Sequence, residues 1–528
     1  MTIERQVDDK YLTTFIHESE AGHAEGIIYP ENEEQIVAAV KKAQAEGKKL
    51  VTIGGHTALA GGTYPQGEIL LNLEKMNQIL DLDKETLTLT VEAGVTLNQV
   101  RDYLAGSGYF YAPDPGEKRA TVAGNAATNA GGMRAIKYGV TRDNIRSMRV
   151  VLANGEVINA GSLNNKDSSG YDLKDLFIGS EGTLGIISQL QLKLRVEPQY
   201  ENSLLIGFEH LEELGPVIYE ILHSSVAPTA LEMFEHDAIT YAEELLGNEM
   251  PSKTGQAFLL VTLSGNQEAA IQKDLENLEE IAQNAGALAT ELLSGEVEKG
   301  VWDIRDHILS GIYKAGPMRL DDPVVPVNKI TQAINKSKEI ADDLGIASTF
   351  FGHAGDGNIH ICLMKKALSD QEWEDRLHQY DLRLYDFLAE NGGLPSGEHG
   401  IGLERVKFMP IFFSETELNT MKVIKKPLTL TTSSTQAGSL KLKSKIIINR
   451  KPSWDPLPAF LRSRLKAERL LALGSTKFFT YPNSKSLSYA KLSFLGFNGL
   501  LKSISRKWLK EALVENRAFF CLYRGFGV

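Results

Sequence analysis

A chain of 528 residues with 42% hydrophobic and 23% charged residues has the composition of a globular protein and is too long for one ordinary core, so roughly two to four domains are expected. Its net charge of −12 hides an asymmetry: residues 1–426 hold 38 Lys and Arg against 64 Asp and Glu, whereas residues 427–528 hold 18 against 4. The acidic body speaks against nucleic-acid binding, and there is no apolar signal segment and no apolar run long enough to span a bilayer, so a cytoplasmic protein, free or peripheral at a membrane, is expected.

In chain order, "NEEQIVAAVKKAQAEGK" has the apolar spacing of a helix, and "KLVTIGG", "EILLNL" and "LTLTVEAG" read as strands, two of them ended by glycines. Residues 30–194 are thus expected to form an α+β unit with many small loops. From about 200 to 395, strands such as "SLLIGFEH" and "QAFLLVTLSG" alternate with polar helices such as "NQEAAIQKDLENLEEIAQNAG", the pattern of a sheet with helices on one face. "SDQEWEDRLHQYDLRLYDFLAENGG" predicts a long helix closed by its glycines, and "LPSGEHGIG" follows it. The expected division is 1–198, 199–395, 396–426 and 427–528. With only Cys362 and Cys521 present, neither a disulfide framework nor a cysteine metal site is expected.

Three glycine-rich loops stand out: "IGGHTALAGG" at 53–62, "PDPGEKRATVAGNAATNAGG" at 113–132 and "GSEGTLGI" at 179–186. None has the Gly-x-Gly-x-x-Gly spacing of a dinucleotide turn, and none ends in the Gly-Lys-Ser/Thr of a P-loop. Closely spaced glycines still let successive backbone N–H groups form a concave nest for a pyrophosphate. A second kind of signal is "FGHAGDGNIHICL", where His353 and His360 bracket a glycine-rich turn that leads into a strand, together with Glu398-His399 in the later glycine-flanked loop. Imidazoles plus a carboxylate are the ligand set of a catalytic divalent site, although two such histidines standing alone are more often turn and core residues.

Taken together, in this order and with "KYGVTRDNI" between the second and third, the loops resemble the FAD-binding domain of the vanillyl-alcohol oxidase and p-cresol methylhydroxylase superfamily. Within it the chain is most similar to the flavoprotein subunit of glycolate oxidase and to FAD-dependent D-lactate and D-2-hydroxyglutarate dehydrogenases. The resemblance covers residues 28 to about 426. It implies an α+β fold: a two-part FAD-binding domain of the p-cresol methylhydroxylase type and an α+β substrate, or cap, domain with an antiparallel sheet, after which residues 396–426 return to the first domain. It further implies that Gly54, Gly55, His56 and Thr57 cradle the pyrophosphate. Pro113, Asp114, Thr121, Gly124, Asn125 and Thr128 would pass the flavin ring, and Gly179, Glu181, Gly182 and Ile186 the ribityl and adenine side. "GGH" is also the arrangement in relatives that bond the flavin 8α-methyl to histidine, so covalent FAD at His56 stands open beside a plain loop role.

The same resemblance puts "GHAGDGNIH" and "GEHG" at one site beside the flavin. His353, His360 and Glu398 are then expected to hold a divalent metal, zinc by ligand type with manganese or iron open, and His399 to act as base. Arg305 in "WDIRDHI" matches the arginine that grips a substrate carboxylate; a surface ion pair with Asp306 or Glu298 is the alternative, and Lys314 and Arg319 are candidates for an assisting cation. The implied reaction is oxidation of a small D-2-hydroxy acid, glycolate or D-lactate, with D-2-hydroxyglutarate as the alternative. The hydroxyl proton goes to a base and the α-hydrogen leaves as hydride to flavin N5. Lacking a cysteine cluster of its own, the chain needs a separate electron acceptor: oxygen, a quinone, an electron-transfer flavoprotein or an iron–sulfur subunit.

After Lys426 the family would continue with a run like Ala-Leu-Asp-Pro-Asn-Asn-Ile-Leu-Asn-Pro-Gly-Arg-Ile-Phe, whereas this chain reads "PLTLTTSSTQAGSL". Dropping the first base of a coding stretch for that run, and reading on, yields those very residues. A frameshift is therefore inferred, with 427–528 an out-of-frame tail and an inactive pseudo-enzyme one consequence. A basic arm for anionic surfaces is the competing reading.

Overall fold

The computed structural model describes residues 3–15 and 20–428; from residue 429 onward the tail reading lies outside the described residues. Three sheets organise them. Gly26–Ile28, Ile69–Asn72 and Leu50–Ile53 form a parallel sheet with Ile69–Asn72 in the centre. The crossover helix is Glu33–Ala45, where the Asn32 side chain caps the N-terminus by accepting from the Gln35 N–H at 3.0 Å. Its Ile36, Ala39, Val40 and Ala43 recur at helical spacing and form its buried face.

A second, antiparallel sheet runs Ile79–Asp83, Thr88–Glu92, Ile186–Val196, Ile145–Val151, Val157–Gly161, with Tyr109–Tyr111 also paired to Ile186–Val196. Leu89, Val91, Met148, Val150, Leu190 and Leu192 share one core with Ile36 and Val40. The two sheets are thereby two parts of one unit.

The third sheet has seven antiparallel strands in the order Ala289–Leu293, Tyr200–Phe208, Ala257–Gly265, Ala230–Glu235, Ala347–His353, Asn358–Met364, Met318–Asp321. Here one expectation is corrected, because helices cover both faces. Leu204, Ile206, Leu231, Met233, Leu259 and Val261 pack against Leu214–His223, Glu268–Asn284, Ile330–Asp343 and Asp370–Glu390. Leu205, Phe234, Phe258, Leu260 and Phe351 pack against His236–Leu246, Gly295–Asp306 and Ile308–Ala315. The cause is visible in strands such as "AFLLVTL", apolar at successive positions rather than alternating, which need cover on both sides. The long helix Asp370–Glu390 has a capping box between Ser369 and Glu372 and ends before Gly392 in the left-handed region at φ 76°.

The segment after that helix returns to the first unit. The Leu403 N–H donates to the Ala60 carbonyl at 3.0 Å, and the N–H groups of Ile401 and Gly402 donate to the Glu181 carboxylate at 2.8 and 2.9 Å. Gly402 has φ 52° and packs so tightly on the Ala60 carbonyl that no Cβ fits. No helix among the described residues is long and apolar enough to cross a membrane.

Candidate active site

The site grows from the hairpin between Ala347–His353 and Asn358–Met364. Its four-residue turn depends on Gly357, at φ 87° and pressed against the Val325 carbonyl, while Asp356 accepts from the Asn358 N–H at 3.2 Å. Cross-strand partners in register share a face: Phe351 lies opposite His360, His353 opposite Asn358, and Glu232 of the neighbouring strand opposite His353. Glu232, His353 and His360 therefore stand in a row on a face otherwise lined by Phe234, Phe351 and Cys362. All three are buried.

The loop after the long helix brings Glu398 and His399 over this row. Nε2 of His353 and Nε2 of His360 are 3.4 Å apart. Glu398 Oε1 lies 3.6 Å from the first, 3.3 Å from the second and 3.6 Å from His399 Nε2. Tetrahedral donors at zinc bond lengths sit roughly 3.3–3.4 Å from each other, so this spacing fits such an ion. Asp322, His360, Glu398 and His399 also each offer a donor atom within 4.8 Å of the others.

Electrostatics hold the cluster together. Burial disfavours a charged Glu398, but hydrogen bonding to His353, His360 and His399 outweighs it and holds the carboxyl well below the usual range. Burial likewise works against charged His353 and His399, yet Glu232 raises the former well above its ordinary value and Asp322 raises the latter. His360 is pushed down by burial. Desolvation of its carboxyl pushes half-buried Asp356, beside them, up to about 6.

Behind His353 stands Glu232, whose carboxylate oxygens are 2.8 and 3.0 Å from Nδ1. Arg305 Nη2 donates to Glu232 Oε2, and the guanidinium lies 5.3 Å from the Phe351 ring centre. Arg305 is thus buried, its ion partner is Glu232 rather than Asp306 or Glu298, and its Nε is without a hydrogen-bond partner. Arg319 faces the opposite side of the sheet, paired with Asp321 and Asp381, and Lys314 is exposed.

The three glycine-rich loops also meet. Gly54 packs on Thr121 Oγ1, and a Cβ at Gly55 would lie 2.6 Å from the Arg119 carbonyl. The Gly179 and Glu181 N–H groups donate to the Ala126 and Ala127 carbonyls at 2.9 and 2.7 Å, at the end of the helix Val122–Thr128 that Thr121 caps through the Gly124 N–H. Thr128 Oγ1 donates to the Gly124 carbonyl at 3.5 Å. Asn125 is buried with its Nδ2 unpartnered, a free donor suited to an acceptor-rich cofactor. Pro113 is buried, Thr57 half-buried, Gly182 left-handed at φ 69°, and Ile186 opens its strand.

Three other loop residues are already engaged. His56 (φ 55°) has Nε2 2.9 Å from the Thr13 carbonyl, Asp114 is ion-paired with Arg101, Lys118 and Arg134, and the Glu181 carboxylate holds Ile401 and Gly402. A Cβ at Gly131 would lie 2.9 Å from Glu398 Oε2, so the second loop touches the cluster. Nearby, a cavity of ≈ 370 Å³ is lined by Arg101, Lys118, Arg134, Trp302 and Asp306 among others.

Glu232, Asp322 and Asn358 were not singled out from sequence. A Glu flanked on both sides by apolar residues in the buried run "ALEMF" was the available signal for the first.

Comparison with known proteins gives the family and the fold. The family profile of the FAD binding domain matches residues 24–161, and that of the FAD linked oxidases, C-terminal domain, matches residues 197–428. A D-lactate dehydrogenase of Anaerostipes hadrus is 36% identical over 79% of this chain and 91% of its own length. Glycolate oxidase subunit GlcD of Bacillus subtilis is 33% identical over 76% and 86%. A crystal structure of p-cresol methylhydroxylase with substrate bound shares the fold at a TM-score of 0.70 and 16% identity, covering 81% of this chain and 92% of that one.

Proposed function

The chain belongs to the FAD-linked oxidase family, and from that premise we propose that it oxidises a small D-2-hydroxy acid, glycolate or D-lactate, to the 2-oxo acid with the help of a divalent metal, zinc by donor type. The enzyme class is that of FAD-dependent oxidoreductases acting on hydroxy acids. The observation that carries the finer reading is the convergence of His353 Nε2, His360 Nε2 and Glu398 Oε1 at 3.3–3.6 Å next to Gly131 of the second glycine-rich loop.

FAD supplies a hydride acceptor, and a divalent ion supplies a Lewis acid that lowers the pKa of a bound hydroxyl. His353, His360 and Glu398 hold the ion. His399, beside the same Glu398 oxygen, takes the hydroxyl proton; it is neutral for this task once a cation shares the negative charge of Glu398 and Asp322. Arg305, fixed by Glu232, presents its free Nε–H to the substrate carboxylate. Gly54, Gly55 and Thr57, with Asn125 and the third loop, hold the FAD. Electrons then leave to a separate acceptor. D-2-hydroxyglutarate is the second reading: Arg101, Lys118 and Arg134 line the cavity, where a second carboxylate would share them with Asp114, their present ion partner.

The purified protein is expected to show flavin absorption that bleaches without oxygen on adding D-lactate or glycolate. Bound flavin that neither acid bleaches, but D-2-hydroxyglutarate does, sinks the first reading in favour of the second. Failure to take up any FAD points to the non-functional remnant that a frameshift after Lys426 would leave. Acid precipitation is expected to release all flavin to the supernatant, because the His56 ring is held by the Thr13 carbonyl and Tyr11. Flavin retained in the pellet would establish the covalent link instead.

A further inference from the structure

Asp322 follows the edge strand Met318–Asp321 and precedes Pro323. Alternation along the strand sends Asp321 toward Arg319 on one side and Asp322 toward the imidazoles on the other. The residue has no exposed surface. Its Oδ2 accepts from the N–H groups of Gly397, Glu398 and His399 at 3.1, 3.0 and 2.8 Å and from the Ser396 hydroxyl at 2.7 Å. Its Oδ1 accepts from Asn358 Nδ2 at 2.8 Å. One carboxylate therefore holds both loops of the cluster, the turn carrying Asn358 and the segment carrying Glu398 and His399.

The same two oxygens stand behind two rings. Nδ1 of His360 and Nδ1 of His399 are buried with no hydrogen-bond partner, 3.5 Å from Oδ1 and 3.6 Å from Oδ2 of Asp322. The rings are nearly parallel, 12° apart in plane with centroids at 5.2 Å. A contraction of about half an ångström makes both contacts hydrogen bonds. We infer that Asp322 is the positioning residue of this centre: it keeps the proton of His360 and of His399 on Nδ1, so that both Nε2 lone pairs point at the space beside Glu398, one to bind metal and one to accept the substrate proton. The inference rests on the metal reading given above. Asp322 lies on the Nδ1 side of both rings, away from the Nε2 atoms that converge on Glu398, which sets it behind the histidines as their support rather than beside them as a further ligand.

The test uses the full chain loaded with FAD and zinc alone as probe, with affinity read by competition against a chromophoric chelator. Asp322→Asn keeps the shape but can accept on one side only. It is expected to retain FAD, bind zinc about 10–100-fold more weakly, and lower kcat more than it changes KM. In a His399→Gln background the kcat cost of Asp322→Asn should shrink while the zinc cost remains, a split that simple loosening of the fold does not produce. Unchanged zinc affinity in a flavin-loaded Asp322→Asn protein overturns the inference and leaves the metal reading standing. A parent protein that takes up no zinc fails the metal reading itself. If Asp322→Asn does not fold, Asn358→Ala decides: it removes one donor to Oδ1 and is expected to weaken zinc binding while keeping FAD, and unchanged affinity there overturns the role of Asp322.

Discussion

Glu398→Gln is expected to keep its FAD, lose its metal and turn over hydroxy acids about a thousandfold more slowly, since a Lewis acid supplies several kcal/mol of transition-state stabilisation. The reasoning is local. Oε1 of Glu398 lies within 3.6 Å of the Nε2 atoms of His353, His360 and His399, and Glu398 is the anionic donor in the set of three. Glutamine preserves the shape and hydrogen-bonding reach but removes the charge that an ion needs. Metal analysis should show loss of zinc together with loss of rate, and treating the parent enzyme with a chelator should reproduce the defect and be reversed by zinc. A Glu398→Gln enzyme that turns over at the parental rate, or a chelated parent that is fully active, would remove the metal from the mechanism while leaving the flavin chemistry intact.

Glu232→Gln should be the most destabilising single change at the site. Glu232 is wholly buried and shared by Arg305 and His353, so its loss leaves a buried guanidinium uncompensated, at a cost of about 3–5 kcal/mol. Replacing both partners with apolar residues, Glu232→Leu with Arg305→Met, should restore most of the stability without restoring activity, because His353 loses its anchor and the substrate its cation. Denaturant unfolding and turnover measured on the three proteins separate the two effects; equal stability of parent and Glu232→Gln contradicts the argument. The pH dependence has a definite sign. Burial raises the Glu232 pKa, but Arg305 and His353 outweigh it and hold the carboxyl below its usual range. Its stabilising contribution is therefore complete above an unfolded-state pKa of about 4.3 and is lost as the pH falls through the lower folded-state value.

The parts of the molecule visible in sequence are those set by neighbours along the chain. The helix Asp370–Glu390 declares itself through Ser369, Glu372 and its closing glycines, and His353, His360, Glu398 and His399 through two short motifs. What escaped depends on register between distant strands. Glu232 meets His353 because Ala230–Glu235 pairs with Ala347–His353, and nothing within "ALEMFE" announces that neighbour. Asp322 looks like one of two aspartates before a proline, and only the return of Ser396–His399 reveals what it holds. Arg305 was singled out by resemblance, and the ion partners weighed for it, Asp306 and Glu298, lie on its own helix, whereas its partner Glu232 lies on a strand. The second layer of helices on the large sheet was missed for a related reason: strands apolar on both faces require it, but helical spacing does not say which face a helix covers.

The grip of Glu181 on the N–H groups of Ile401 and Gly402 joins positions 220 and 221 apart. During synthesis, at the usual rate of chain growth, those partners emerge roughly 10–45 s after Glu181 itself. The sheets of the first unit can pair in that interval, while Glu181, whose pKa burial raises in the finished fold, still lacks the two N–H groups that partly offset that burial. The contact that ties the third glycine-rich loop to residues 401 and 402 is thus made late, after that loop and the strands around it have been synthesised.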